Sequence, residues 1–184
     1  KSFKQKKNKT PKLYKKFFEI SNLIKKSVRP VVVIGNGVHV SNSKMLIKEL
    51  IDIFNIPVLS SWNASDIIST NHKKYIGRFG LFGDRASNFT IQKSDLVLVL
   101  GCRLSQPQTG YNLSLFAPEA KFIHVDIDAM EISKLKGKKI TKVVSDLKLF
   151  LEQFIKYIKR LKLKKSFKKI HNSWLIQNVR LKDK

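Results

Sequence analysis

The segment that most constrains this chain is Pro30-Val31-Val32-Val33-Ile34-Gly35-Asn36-Gly37. Its apolar, mostly β-branched residues run without polar alternation. That pattern suits a strand covered on both faces, as in a parallel sheet between helices. A glycine turn follows at once, and then a helical pattern begins. Strand, glycine turn and helix in that order build ligand crevices at the strand carboxyl ends of open α/β sheets. The remaining elements read as repeats of this unit around it.

The chain begins with a charged lead, Lys1 to Asn8, that has no periodicity. Thr10-Pro11 reads as an N-cap with proline at the first helical position. Leu13, Phe17, Ile20 and Ile24 recur at helical spacing and predict a helix from about Pro11 to Lys26. After the first strand, Ser41 or Ser43 caps a helix whose apolar face is Leu46, Ile47, Leu50, Ile51 and Phe54. Asn55 closes it, and Ile56 to Leu59 reads as the second strand, with proline tolerable near its start. A polar loop with a short helix near Ala64 to Ile68 precedes a brief strand at Tyr75 to Gly77. Gly77, Gly80 and Gly83 punctuate a flexible stretch, and Asp84 caps a helix to about Gln92. Asp95 to Leu100 is the clearest strand after the first, ended by Gly101. Lys121 to Asp126 and Lys142 to Val144 are further strands. Ser145 caps a final helix with a face of Leu147, Phe150, Leu151, Phe154, Ile155 and Ile158. A Lys-rich tail with Trp174 follows Arg160.

Alternating strands and helices predict a doubly wound, mostly parallel sheet of about six strands with helical flanks. Val31 to Ile34 and Leu96 to Leu100, apolar on both faces, are its expected interior strands. Three turns at strand ends are small or glycine-rich: Gly35-Asn36-Gly37, Ser60-Ser61 and Gly101-Cys102-Arg103. Their backbone N–H groups can face a phosphate. Asp126 and Asp128 at a fourth end suit ribose hydroxyls. Together these point to a nucleotide site; the plainer alternative is that glycine serves only the tight turns. The dinucleotide fingerprint fails, because Val40 stands where glycine or alanine is needed and Leu59-Ser60-Ser61 lacks the acidic residue. His39, His72, His124 and His171 are too far apart for a metal site, so none is assigned. Cys102 has no paired base and reads as structural, and no catalytic residue is assigned.

The formal net charge is +24. Of 37 basic and 13 acidic residues, nine of each fall between Pro30 and Ser133, so the flanks hold 28 basic and four acidic residues. The excess therefore lies outside the strand–helix core. That argues against nucleic-acid recognition by the fold, and the dominance of lysine over arginine argues the same way. Solvated flanking helices are the plainer account, and weak polyanion attraction is the other. A single cysteine fits a reducing compartment, hence a cytoplasmic placement. There is no apolar run of about 18 residues and no secretory signal.

Several separated motifs resemble one family. Arg29 to Gly37 is similar to the opening of the middle domain of thiamine-diphosphate enzymes, and Ile56-Pro57-Val58 to its second strand. Gly77 to Arg103 resembles the acetolactate synthase branch: a Gly-rich loop, an Ala-Asn helix and an Asp-Leu strand ending in Gly-x-Arg. Thr109-Gly110, Phe116-Ala117-Pro118 and His124 to Asp128 continue the likeness, which runs from about Val28 to Phe154. It implies a Rossmann-like, deoxyhypusine-synthase-like flavin/nicotinamide-binding fold over residues 28–160. Residues 1–27 then form a basic connector helix from an N-terminal domain. Residues 161–184 lead toward a C-terminal thiamine-diphosphate domain, with Trp174 as an anchor.

For the complete enzyme the resemblance implies thiamine diphosphate and magnesium, a transferase or lyase acting on a 2-oxo acid, and a homodimer or tetramer. Decarboxylation and carboligation use the cofactor as electron sink. The Gly-Asp-Gly motif of the cofactor domain is missing, since Gly83-Asp84 is followed by Arg85. This segment alone is thus expected to be inactive. In flavin-carrying relatives the dinucleotide lies across the strand ends of this domain. The matching positions are Gly35, Asn36 and Gly37; Ser61 and Trp62; Gly77, Arg78, Phe79 and Gly80; Gly101, Cys102 and Arg103; and Asp126 and Ile127. Ser105 and Pro107 replace an acidic residue and a second arginine, and Asn36 replaces a glycine. The expectation is an FAD- or ADP-shaped cleft without tightly held flavin. A stand-alone nucleotide-binding or regulatory module with polyanion-attracting flanks is the alternative.

Overall fold

A computed structural model describes residues 10–182. Its centre is a six-stranded sheet of β1 (Pro30–Ile34), β2 (Val58–Ser60), β3 (Tyr75–Arg78), β4 (Leu96–Leu100), β5 (Lys121–Asp126) and β6 (Ile140–Val144). The spatial order is β3-β2-β1-β4-β5-β6, and every pairing is parallel. β1 and β4 are interior neighbours, paired from Pro30↔Leu96 to Ile34↔Leu100, and every residue in both is buried. The expected interior strands are therefore the observed ones.

Strand periodicity sends alternate side chains to two layers. Val32, Ile34, Leu98 and Leu100 face α1 (Thr10–Lys26), α3 (Lys44–Phe54) and α7 (Leu147–Arg160). Val31, Val33, Val97 and Val99 face the other way, with Ile91 of α4 (Arg85–Gln92) and with Leu104, Phe116 and Phe122. Leu13, Phe17, Ile20 and Ile24 form the buried stripe of α1, and the Phe17 ring sits 5.3 Å from that of Phe154. Asp95 fixes the entry to β1 by accepting from the Ser27 hydroxyl and from the N–H groups of Val28 and Arg29.

Local differences from expectation have local causes. Asp146, not Ser145, caps α7, its side chain accepting from Leu149 N. Asp84 stands at the N-cap of α4 but turns its carboxylate to Arg78 N, 2.7 Å away. β2 starts at Val58 rather than Ile56, and β6 at Ile140 rather than Lys142. The turn near Ala64 is a single 3-10 turn, Trp62–Ala64. Three short helices were not expected: α2 (Gly37–Val40), α5 (Gln106–Thr109) and α6 (Ala129–Ser133). The Lys1 to Asn8 lead lies outside the described residues.

The tail beyond Arg160 forms α8 (Lys164–Lys182) and packs on the domain. Phe167, His171, Trp174 and Asn178 form its buried face at helical spacing. Two members of that stripe are polar, so the apolar periodicity is broken in the sequence. Each polar group has a partner. The His171 ring nitrogens lie 3.3 Å from Phe54 O and 3.0 Å from Ile24 O. Asn178 accepts from the Thr90 hydroxyl at 2.6 Å and donates to Trp174 O at 2.7 Å. Trp174 Nε1 donates to Pro30 O at 3.0 Å, at the start of β1. α8 thus closes the amino-terminal end of the sheet and leaves the carboxyl end open. No described helix is long and apolar enough to cross a membrane.

Candidate functional site

Strand order reverses between β1 and β4, the place where open α/β sheets bind ligands. A cleft of about 620 Å³ opens there, beyond the ends of β1, β4 and β5. Gly35, Asn36, Gly37, Ser61, Trp62, Gly101, Cys102, Arg103, Asp126 and Ile127 all line it. The structure therefore brings together ten residues from four separate turns.

The other four named residues lie elsewhere. Phe79 is fully buried in the α4-side core. Gly77 and Arg78 border a hollow with Tyr75, Asp84 and Lys182, and Gly80 borders another with Asn88 and Pro107. The reason is topological: β3 is the edge strand, two places from β1. Its loop folds over α5, with Leu81 N donating to Pro107 O at 2.8 Å, and returns to the cleft rim through Phe82, whose ring lies 5.2 Å from Trp62.

The turn glycines are required by the packing of two turns against each other. A Cβ on Gly35 would sit 2.4 Å from Cys102 Cα and from Gly101 O. Gly101 has φ +57, and its Cβ would meet Gly37 Cα at 2.8 Å. Their N–H groups are occupied too. Gly35 N donates to Leu100 O, Gly37 N to Gly101 O, Gly101 N to Val125 O and Ser61 N to Ile34 O. Among the described residues the N–H groups of Asn36, Cys102 and Arg103 have no such acceptor and are among the backbone donors the cleft offers a ligand.

The charge on the cleft is mixed. Asp126, Asp128 and Glu131 contribute carboxylates and Arg103 the one cation among the lining residues. Asp126 accepts from Asp128 N at 3.0 Å, and Asp128 caps α6 by accepting from Met130 N at 2.8 Å. Glu131 is buried and holds Arg103 Nε at 3.4 Å and Lys134 Nζ at 2.7 Å. Cys102 lies buried with Sγ 3.8 Å from Gln108 Oε1, and burial pushes its thiol up to about 12. A thiol so protonated is no nucleophile near neutral pH. His124 is also buried, which pushes its imidazole down, and Nε2 lies 3.0 Å from Cys102 O.

Glu131, Ser105 and Gln108 also line the cleft, and sequence reasoning did not name them as site residues. Their signal was present. Asp128-x-x-Glu131 and Ser105-x-x-Gln108 both have capping-box spacing. The second is a true capping box, with Ser105 N donating to Gln108 Oε1 at 3.0 Å.

The family described as thiamine pyrophosphate enzyme, central domain, matches residues 19–154. This chain belongs to that family. A probable acetolactate synthase large subunit of Methanococcus aeolicus is 35% identical over 160 residues, covering 85% of this chain and 26% of that protein. Its counterpart in Methanocaldococcus jannaschii is 33% identical, over 78% of this chain and 24% of that protein. An acetolactate synthase of Mycobacterium avium is 33% identical, over 77% and 22%. The chain thus spans about a quarter of the length of these relatives and corresponds to the central domain of acetolactate synthase-like enzymes.

Among the described residues no three His, Cys, Asp or Glu side chains gather to hold a metal ion. No step on thiamine diphosphate is assigned to them.

Proposed function

We propose that this chain is the scaffold and nucleotide-binding domain of an acetolactate synthase-like enzyme that decarboxylates a 2-oxo acid and joins the fragment to an acceptor. Other domains of that enzyme supply the thiamine diphosphate and Mg2+ sites, and residues 1–27 and 161–184 connect to them. The enzyme is a cytoplasmic homodimer or tetramer, which the single buried cysteine suits. By itself the chain has no thiamine-dependent turnover. The cleft takes ADP, or the adenosine end of FAD, weakly: Asp126 accepts from ribose and Arg103 meets a phosphate.

The observation that carries this reading is the cleft at the strand-order reversal, with Arg103 and Asp126 among its lining residues and the unbonded N–H groups of Asn36, Cys102 and Arg103 beside them. Tight flavin is disfavoured by the three carboxylates and by Ser105 and Pro107 where flavin-carrying relatives have charged residues. A self-contained nucleotide-binding module is the second reading. It draws on the basic flanks, whose helices α1 and α8 each pack a buried face on the domain.

Calorimetric titration of the purified chain with ADP and with FAD tests the proposal. Weak ADP binding is expected, and Arg103→Ala should weaken it a few-fold, the worth of a phosphate contact that the Arg103–Glu131 pair already discounts. The protein should be colourless. A yellow protein that releases stoichiometric FAD on denaturation overturns the preference for ADP. Absence of binding by either ligand overturns the nucleotide reading.

A further inference from the structure

Arg103 is the only cation lining the cleft among the described residues, and it is not free. Its Nε lies 3.4 Å from Glu131 Oε1, and its side chain is 77% exposed, whereas that of Glu131 is 8% exposed. Glu131 is anchored from the other side by Lys134 at 2.7 Å and carried on α6, which Asp128 caps. A buried carboxylate therefore faces a solvent-exposed guanidinium. The contact is too long and the arginine too exposed to order that side chain strongly. Its main effect is electrostatic. Glu131 adds negative potential where Asp126 and Asp128 already stand, and it occupies part of the guanidinium that a phosphate needs.

Resting on the nucleotide reading above, we infer that Glu131 is a specificity residue that competes with phosphate for Arg103. It tunes the cleft toward the adenine nucleoside rather than its diphosphate. The ligand class is an adenosine moiety whose phosphates contribute little to affinity. Three further observations agree. The glycine N–H groups that would cradle a diphosphate are bonded to backbone carbonyls of neighbouring strands and turns. Asp126, at the end of β5, keeps its second carboxylate oxygen clear of the bond to Asp128 N and can accept from a ribose hydroxyl. The surrounding cleft carries three carboxylates against one guanidinium.

The test is a double-mutant cycle on the full chain, read by calorimetry with ADP and, separately, adenosine. In the unaltered chain the two ligands should bind within a few-fold of each other. Glu131→Gln keeps the side-chain shape and should tighten ADP a few-fold, the order an exposed ion pair can withhold from a phosphate, while leaving adenosine unchanged. Most of that gain should vanish in the Arg103→Ala background. Lys134→Met gives the opposite sign, because it leaves Glu131 to Arg103 alone; it should weaken ADP and spare adenosine, and most of that loss should vanish in the Arg103→Ala background, whereas an equal loss without Arg103 would show a plain charge effect and overturn the competition. This second variant also decides the matter should Glu131→Gln fail to fold. ADP weakened by Glu131→Gln would mean that Glu131 positions Arg103, and would overturn the inference. An equal gain with and without Arg103 would overturn the competition as well. Adenosine and ADP both failing to bind any variant would instead overturn the nucleotide reading itself.

Discussion

Docking of α8 is open to a direct energetic test at Trp174. Its side chain is buried on the α8 face toward the sheet, and its Nε1 donates to Pro30 O at 3.0 Å. Trp174→Ala removes a large buried side chain in contact with the start of β1, a change that costs about 3–5 kcal/mol. For a chain of this length each kcal/mol moves Tm by about 2–4 °C, so the expected fall is about 6–20 °C. Trp174→Phe keeps most of the packing and removes the donor, which leaves a buried carbonyl unpaired and costs about 1–3 kcal/mol. Urea unfolding followed by circular dichroism measures both. Fluorescence gives an independent reading. With Trp62, which is 39% exposed, replaced by phenylalanine, emission from Trp174 should be blue-shifted and shielded from acrylamide. A loss below about 1 kcal/mol for Trp174→Ala, or emission from Trp174 like that of free tryptophan in water, would refute the docked helix.

Three further outcomes follow from the same structure. Gly35→Ala should destabilise the chain by about 3 kcal/mol, because the atoms its Cβ would strike belong to the Gly101–Cys102 backbone and cannot rotate away, and a loss below about 1 kcal/mol in urea unfolding would contradict the close approach of the turns. Cys102 keeps its proton to about 12 in the fold against an ordinary 9.0, so its contribution to stability is complete below the ordinary value and is lost as pH rises toward 12; Cys102→Ala should flatten that alkaline fall, and a thiol reagent at pH 8 should react only after unfolding. Binding to a random DNA duplex, measured by anisotropy, should be weak, fall steeply from about 50 to about 200 mM salt and show no sequence preference; deleting residues 1–9 and replacing the exposed Lys165 and Lys169 of α8 with glutamine should weaken it while leaving the buried face of α8 intact, and undiminished binding would contradict the charge distribution.

The sequence by itself determined the sheet. β1 and β4 were legible because a strand buried on both faces admits only apolar residues, and Val31 to Ile34 and Leu96 to Leu100 have no other use. The same run of glycine turns placed the cleft at the strand ends, since crossover topology fixes which ends share a side of the sheet. Asn55 closing α3 was legible as well, because a left-handed residue at φ 57 favours asparagine.

Tertiary structure alone decided three things. It assigned Gly35, Gly37 and Gly101 to turn-on-turn packing, which depends on distances between β1 and β4 that no local pattern contains. It drew the Gly77 to Gly80 loop away from the cleft, because strand order, not sequence order, sets which turns are neighbours. It also turned the Lys-rich tail into a buried element. His171 and Asn178 look like surface residues in the sequence, yet they pack inside because Phe54 O, Ile24 O and the Thr90 hydroxyl, from three distant elements, meet their polar atoms there. Burial of a polar side chain is favourable only where such partners converge, and that convergence exists only in the folded chain.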